Sequence, residues 1–197
     1  MDRGRGNIYE ASYDSPVINT ISNTVVPKIY ESVWNRDLTA FIGSILQSDD
    51  STWLAVYSRL VKQPTTTDSQ TTPFALKGEE LPSNVVAYEI SPKKDRVFTL
   101  TNDSGNGVGY VSNVDGSKLV KIFSTPLTQL NASWPSDNII ALTTKGSSSY
   151  SGYLYFVNPK TGAWTKVIGP VTGLSAVVSH DGKFVLWSGT GLSLIHI

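Results

Sequence analysis

Residues able to carry chemistry are few in this chain. Its 197 residues hold two histidines and no cysteine, against 16 Asp and Glu. His180 stands in the turn-like stretch SHDGKF and His196 in the C-terminal run LSLIHI. A Cys/His pair, a Ser/His/Asp triad and a zinc site all need more His or Cys than this. Paired carboxylates could do glycosidase-type acid/base work, and the adjacent pairs are Asp49-Asp50 and Glu79-Glu80. Neighbours point to opposite faces of a strand, and both pairs sit in turn-like contexts, so they read as solvated loop residues.

Two glycine-rich stretches complete the inventory. NDSGNG, Asn102 to Gly107, offers Asp103 to a calcium ion but lacks the several carboxylates such sites use; it reads as a tight turn. GNGVG is followed by no Lys-Ser/Thr and no helical pattern, so it is not a phosphate loop. The expectation is therefore no catalytic, cofactor-binding or metal-ligating residue and no cofactor, with ligand-binding residues unassigned. Aromatic residues remain. Trp34, Trp134 and Trp187 stand at or near a recurring turn and read as packing residues. Trp53, Tyr57, Tyr110, Tyr153 and Tyr155 alternate with small or polar residues; an exposed aromatic face could bind sugars or peptides, while core packing is the simpler reading.

The elements that position these residues are strands. Charged residues make up 16% and hydrophobic residues 40%, with Ser, Thr, Gly, Asn and Pro filling the gap, a mixture that favours strands and turns. The formal net charge is zero and no basic stripe exists, so the electrostatic footprint of a nucleic-acid binder is missing. No apolar run approaches a membrane span of about 18 residues. The N-terminus, MDRGRGNIYE, has no apolar h-region of a signal peptide.

Four stretches share one shape: YESVWNRDLTAFIG, AYEISPKKDRVFTL, NASWPSDNIIALTT and AVVSHDGKFVLWSG. Each places an apolar strand, a polar turn with an Asp, and a second apolar strand. Anchored on Trp34, Ile90, Trp134 and Val178, the copies lie 56, 44 and 44 residues apart. The longer interval contains KQPTTTDSQTTP, Lys62 to Pro73, a low-complexity tract read as a loop insertion. Four short strands fit each unit, as in VVAYEI, RVFTLT, GVGYVSN and KLVKIFS, then QLNASW, NIIALTT, GYLYFVN and AWTKVI. VNPKTGAWTKV carries a hairpin signal in which Gly162 takes positive φ. Four antiparallel strands at a period of about 40–50 residues mark a β-propeller blade. A β-sandwich also has short strands but needs no 44-residue register.

The turns WNRD, SPKKD, WPSD and SHDGKFV resemble degenerate copies of the Trp-Ser-Pro-Asp-Gly turn of TolB-like, WD-repeat-like propeller repeats, over about Asn7 to Gly191. No copy is complete: Trp34 precedes Asn-Arg, SPKKD carries an extra Lys, Pro135 lacks a preceding Ser, and His180 replaces Pro. SHDGKFVLW is also similar to the Asp-box turn of sialidases, but Gly182 follows Asp181 directly, and that function is not carried over. The propeller resemblance implies an all-β fold and a non-enzymatic binding or scaffold module for a protein, peptide or cell-envelope ligand, in a periplasmic or cell-surface setting. Two other readings stay open: the propeller domain of a larger, prolyl-oligopeptidase-like hydrolase, and a structural surface protein.

Counted this way, residues 1–191 form an incomplete propeller. Three blades fall at 29–81, 85–127 and 129–168. Residues 7–22 supply the third and fourth strands of a partial blade, and 174–188 the first two strands of another. LSLIHI, Leu192 to Ile197, resembles the in-frame translation of a sequencing adapter and is expected to be a non-native tail on a fragment. Val177, Phe184, Leu186 and Trp187 are expected to be left partly bare.

Overall fold

The computed structural model describes residues 7–11, 13–14, 16–22, 28–35, 37–46, 53–62, 74–81, 84–113 and 116–190. Lys62 closes a strand, but the rest of the insertion, Asp49-Asp50, and the tail with His196 lie outside the described residues. Every regular element among those residues is a strand, and none is a helix. The sheets are three of four strands and two of two, all antiparallel: a partial β-propeller of three whole blades and two half-blades. The chain divides into two compact units, Met1–Ser83 and Asn84–Ile197.

In the first unit β1 (Tyr9–Ala11) pairs with β2 (Ile18–Thr20), and β3 (Ile29–Trp34), β4 (Ala40–Leu46), β5 (Trp53–Lys62) and β6 (Phe74–Glu80) form a blade in that order. Ala40 to Gly43 are all buried, as expected of a central strand covered on both faces. Trp34 and Phe41 are cross-strand partners with ring centroids 4.6 Å apart. They join Ile8, Ile21, Ile29 and Leu60 in one apolar cluster, which ties the β1–β2 pair to the blade. Glu79 and Glu80 correct an expectation: they belong to β6, opposite Tyr57 and Val56, and not to a turn.

In the second unit β7 (Val85–Ile90), β8 (Arg96–Asp103), β9 (Asn106–Asn113) and β10 (Val120–Thr125) make one blade. A second is made by β11 (Leu130–Ser136), β12 (Ile139–Thr144), β13 (Ser151–Val157) and β14 (Trp164–Thr172), and β15 (Ser175–Val178) pairs with β16 (Val185–Ser188). The first strands of the two blades, β7 and β11, lie side by side. Alternation along β12 explains the stacking. Ile140 and Leu142 face the first blade, packing with Phe98, Leu100 and Trp134. Ala141 points the other way, toward Leu174, Ala176, Val178 and Trp187. On β15–β16 the inward residues alternate with Val177 and Leu186, which are exposed, as is Phe184. Trp187, expected to be partly bare, is half-buried against the second blade.

Three turns from first to second strand share one backbone. A polar residue at the strand end accepts an N–H from five residues on: Asn35 Oδ1 from Ala40 at 3.2 Å, Ser91 Oγ from Arg96 at 3.0 Å, and Ser179 Oγ from Phe184 at 3.0 Å. The main chain closes the same spans, and the N–H of Leu38, Lys94 and Gly182 donates back to the carbonyl of Asn35, Ser91 and Ser179. Those three donors have φ of 57°, 66° and 72°. SPKKD therefore carries no extra residue. Lys93 stands where Asp37 and Asp181 stand, Lys94 where Gly182 stands, and Asp95 replaces the displaced carboxylate. The Ser91 hydroxyl donates to Asp95 at 2.9 Å as the Ser179 hydroxyl donates to Asp181 at 2.6 Å. The WPSD copy differs because Pro135 has neither hydroxyl nor N–H to offer; β11 runs on to Ser136, which pairs with Ile139 across a register shift.

Candidate binding surfaces

The residues singled out for chemistry do not converge. His180 is exposed at the second position of the β15–β16 turn. Glu79 and Glu80 are exposed at the end of β6, on opposite faces of the sheet. Among the described residues no three His, Cys, Asp or Glu side chains lie close enough to hold a metal ion. Asn102 to Gly107 is a hairpin turn in which Ser104 and Gly105 take φ of 51° and 82°. Asp103 accepts hydrogen bonds from Asn84 Nδ2 at 2.7 Å and the Tyr110 hydroxyl at 3.3 Å, which fastens the β8–β9 hairpin to the start of β7. Desolvation, with the neighbouring Asp103 charge second, raises the Tyr110 phenol above its usual range. Two of the glycines of GNGVG serve close packing: a Cβ on Gly107 would meet the Leu127 carbonyl oxygen at 2.2 Å, and one on Gly109 the Phe123 ring at 2.3 Å.

The SHDGKF turn is electrostatically self-contained. The Ser179 hydroxyl, and then the Lys183 N–H, hold the Asp181 carboxyl below its usual range. Lys93 forms an ion pair with Asp137 across the two blades of the second unit. That hydrogen bond, together with the carboxylate's charge, raises the ammonium pKa. The Arg96 guanidinium lies 5.4 Å from the centre of the buried Trp134 ring, a cation–π contact between those same blades.

The third-strand aromatics divide. Tyr57 is buried, and desolvation raises its phenol pKa. Tyr153 and Tyr155, two apart on β13, stack at 5.9 Å. Tyr155 meets Trp164 edge-on at 5.1 Å, and Trp164 meets Phe123 of the neighbouring blade at 4.9 Å. This aromatic run is half-buried inter-blade packing. Trp34, Trp134 and Trp187 each sit in or against an apolar cluster. The indole N–H groups of Trp134 and Trp187 are buried with no acceptor.

Clefts with the dimensions of ligand sites occur in both units. In the second unit, a space of about 470 Å³ separates β11 and β12 from β15, with Asn131, Ser133, Thr143 and Ser175 in its lining. In the first unit, about 610 Å³ lies between the β1–β2 pair and the blade. Its apolar wall includes Ile8, Trp34, Leu60 and Phe74, with Tyr9, Glu10 and Asp37 beside them. Tyr9, Trp34 and Phe74 are all half-exposed, and Glu10 and Asp37 are exposed. Sequence reasoning missed this cleft. Its three aromatic residues stand on β1, β3 and β6, each carrying one, so no local alternation flags them. Only the repeat, which sets β1 beside a blade, pointed toward it.

Comparison with known proteins places the fold. No family model matches the chain, and no curated protein matches its sequence. Among solved structures it is similar to TolB from Acinetobacter baumannii, with a TM-score of 0.62 at 13% identity, over 95% of this chain and 44% of that one. It is similar to a chain of the nidogen/laminin complex, with a TM-score of 0.56 at 13% identity, over 93% of this chain and 64% of that one. A third similar structure is the acylaminoacyl peptidase of Pyrococcus horikoshii, with a TM-score of 0.55 at 14% identity, over 92% of this chain and 32% of that one. The chain thus spans less than half of the TolB chain and about a third of the peptidase. At these identities the likeness is one of fold.

Proposed function

We propose that this chain is part of a non-enzymatic β-propeller module that binds a protein, peptide or cell-envelope ligand. The observation that carries the reading is the cleft between the β1–β2 pair and the first blade, where three half-exposed aromatic rings and two carboxylates line one space. Pockets of roughly 300–1,000 Å³ with apolar walls and a few polar groups are where ligands bind. The likeness to TolB, one of fold, supports the propeller part of this reading, in which blades occupy 29–81, 85–127 and 129–168, and 7–22 and 174–188 are half-blades. The test is reconstitution. The product of the whole gene should form a defined complex with a purified partner, weakened by substitutions in the cleft and unaffected by a control such as Val86→Ala. Failure to recover any reconstitutable complex counts against the module.

A second reading has its own support. The likeness to an acylaminoacyl peptidase, over 32% of that chain, fits a propeller domain attached to a hydrolase. The chain would then govern substrate access while the nucleophile lies elsewhere. A Gly-x-Ser-x-Gly segment in the complete gene, with serine-dependent peptidase activity in its product, would establish it.

A further inference from the structure

We infer that Trp164, Tyr155 and Tyr153 form a relay for one-electron oxidation that ends in a covalent bond between the two tyrosine rings. The co-reactant is a diffusible one-electron oxidant, and the product is a dityrosine within one strand. The relay stands apart from the cleft of the first unit and from any binding role. Tyr153 and Tyr155 lie two apart on β13 and so project from the same face of the sheet. Their rings stack with centroids 5.9 Å apart and planes inclined by 27°. Trp164, on the neighbouring strand β14, meets the Tyr155 ring edge-on at 5.1 Å. Three oxidisable rings thus follow one another at close spacing, and all three are half-buried.

The surroundings hold this geometry. Phe123 of the neighbouring blade, which is not readily oxidised, braces Trp164 at 4.9 Å. Gly169 makes room for the Tyr153 ring: a Cβ there would meet Tyr153 Cδ1 at 2.4 Å. The Lys166 ammonium lies 5.9 Å from the centre of that ring. A positive charge in that place opposes a radical cation and so favours the uncharged radical left when the phenolic proton departs.

At neutral pH tyrosine is easier to oxidise than tryptophan, provided that its proton leaves, so a hole placed on Trp164 runs downhill. The oxidant takes an electron from Trp164. Tyr155 refills the indole and releases its phenolic proton to water. Tyr153 then restores Tyr155 with an electron and a proton, and is itself left as the radical. A second oxidation by the same route leaves Tyr155 as a radical beside it. The two rings join carbon to carbon next to their hydroxyls, and the hydrogens displaced from those carbons move to the phenolic oxygens. In sum two electrons reach two oxidant molecules, two protons reach water, and one C–C bond replaces two C–H bonds.

The experiment oxidises the full chain with photogenerated tris(bipyridine)ruthenium(III), persulfate serving as the final electron acceptor. Products are mapped by peptide mass spectrometry and dityrosine fluorescence. The peptide carrying Tyr153 and Tyr155 should lose two hydrogen atoms, with a yield independent of protein concentration. Tyr155→Phe, which keeps the ring and its packing, should abolish the cross-link. Trp164→Phe should lower its yield, and Tyr150→Phe should leave it unchanged, with circular dichroism showing that each variant is folded. Tyr150 gives the contrast its force: it is 78% exposed, so accessibility alone would make it react ahead of the half-buried pair. Unfolding in urea keeps the sequence spacing but destroys the stack, so the cross-link should be lost there. Coupling chiefly through Tyr150 or between chains, a yield unchanged by Trp164→Phe, or a yield undiminished in urea would overturn the inference.

Discussion

Leu38, Lys94 and Gly182 occupy the same place in three turns, and only one of them is suited to it. A side chain in the left-handed region costs roughly 1–2 kcal/mol that glycine avoids, partly offset by glycine's greater freedom in the unfolded chain. Lys94→Gly and Leu38→Gly should each stabilise their unit by about 1 kcal/mol, read as a higher urea midpoint at unchanged slope. Gly182→Ala should do the reverse. The serines of these turns differ by burial. Ser91 is 3% exposed, so Ser91→Ala leaves the Arg96 N–H without its acceptor in a dry place and should cost about 1–2 kcal/mol. Ser179→Ala, in a wetter turn, should cost roughly 0.5 kcal/mol. Asp181 supplies a pH test. Its folded pKa is depressed, so its contribution is present above the ordinary carboxylate value and is lost as pH falls through the folded value. That window lies on the acid side of about pH 4. The Asp181 carboxyl carbon shift, followed by NMR, should titrate below that of an exposed aspartate, and Ser179→Ala should move its midpoint up.

At the scale of elements, glycine sets how closely neighbouring strands and blades approach. Gly109 lies under the Phe123 ring, and Gly162, at φ 70°, would place a Cβ 2.0 Å from the Ile122 carbonyl of the neighbouring blade. Gly109→Ala should destabilise by roughly 1–3 kcal/mol, the range for overpacking a filled core, measured by thermal or urea unfolding. Gly162→Ala should be at least as damaging, because a rigid carbonyl rather than a side chain must move. Much of this level was legible. VVAYEI is β7 residue for residue, and the other strands of those two blades fall within a few residues of their patterns, because β-branched runs between Gly, Asn and Asp turns leave little alternative. Gly162 was legible for the same reason. What could not be read was the register of the SPKKD turn. Hydrogen bonds from residue to residue-plus-five fix its length, and a displaced Asp disguises that. Glu79 and Glu80 were misplaced because their polarity resembles a turn, whereas backbone pairing with Val56 and Tyr57 makes them strand.

For the molecule as a whole, fold was legible and function was not. The 44-residue register requires neighbouring copies to stack, but the cleft depends on side chains from strands far apart in sequence. The exposed face of β15–β16 bears on behaviour in solution. Val177, Phe184 and Leu186 are 67%, 64% and 47% exposed, an apolar surface of the kind that draws in other chains. Val177→Thr with Leu186→Lys should shift the purified chain toward monomer in sedimentation velocity without lowering its unfolding midpoint, since neither side chain packs inward. The shared turn backbone has a wider consequence. NRDLT, SPKKD and SHDGK hold the same main-chain bonds with the acid in different places, so the geometry tolerates spelling changes that erase a recognisable motif. One architecture can therefore be carried by sequences that share few letters. The hexapeptides 91–96 and 179–184 are then interchangeable cassettes, and a hybrid carrying either one in both places should still fold.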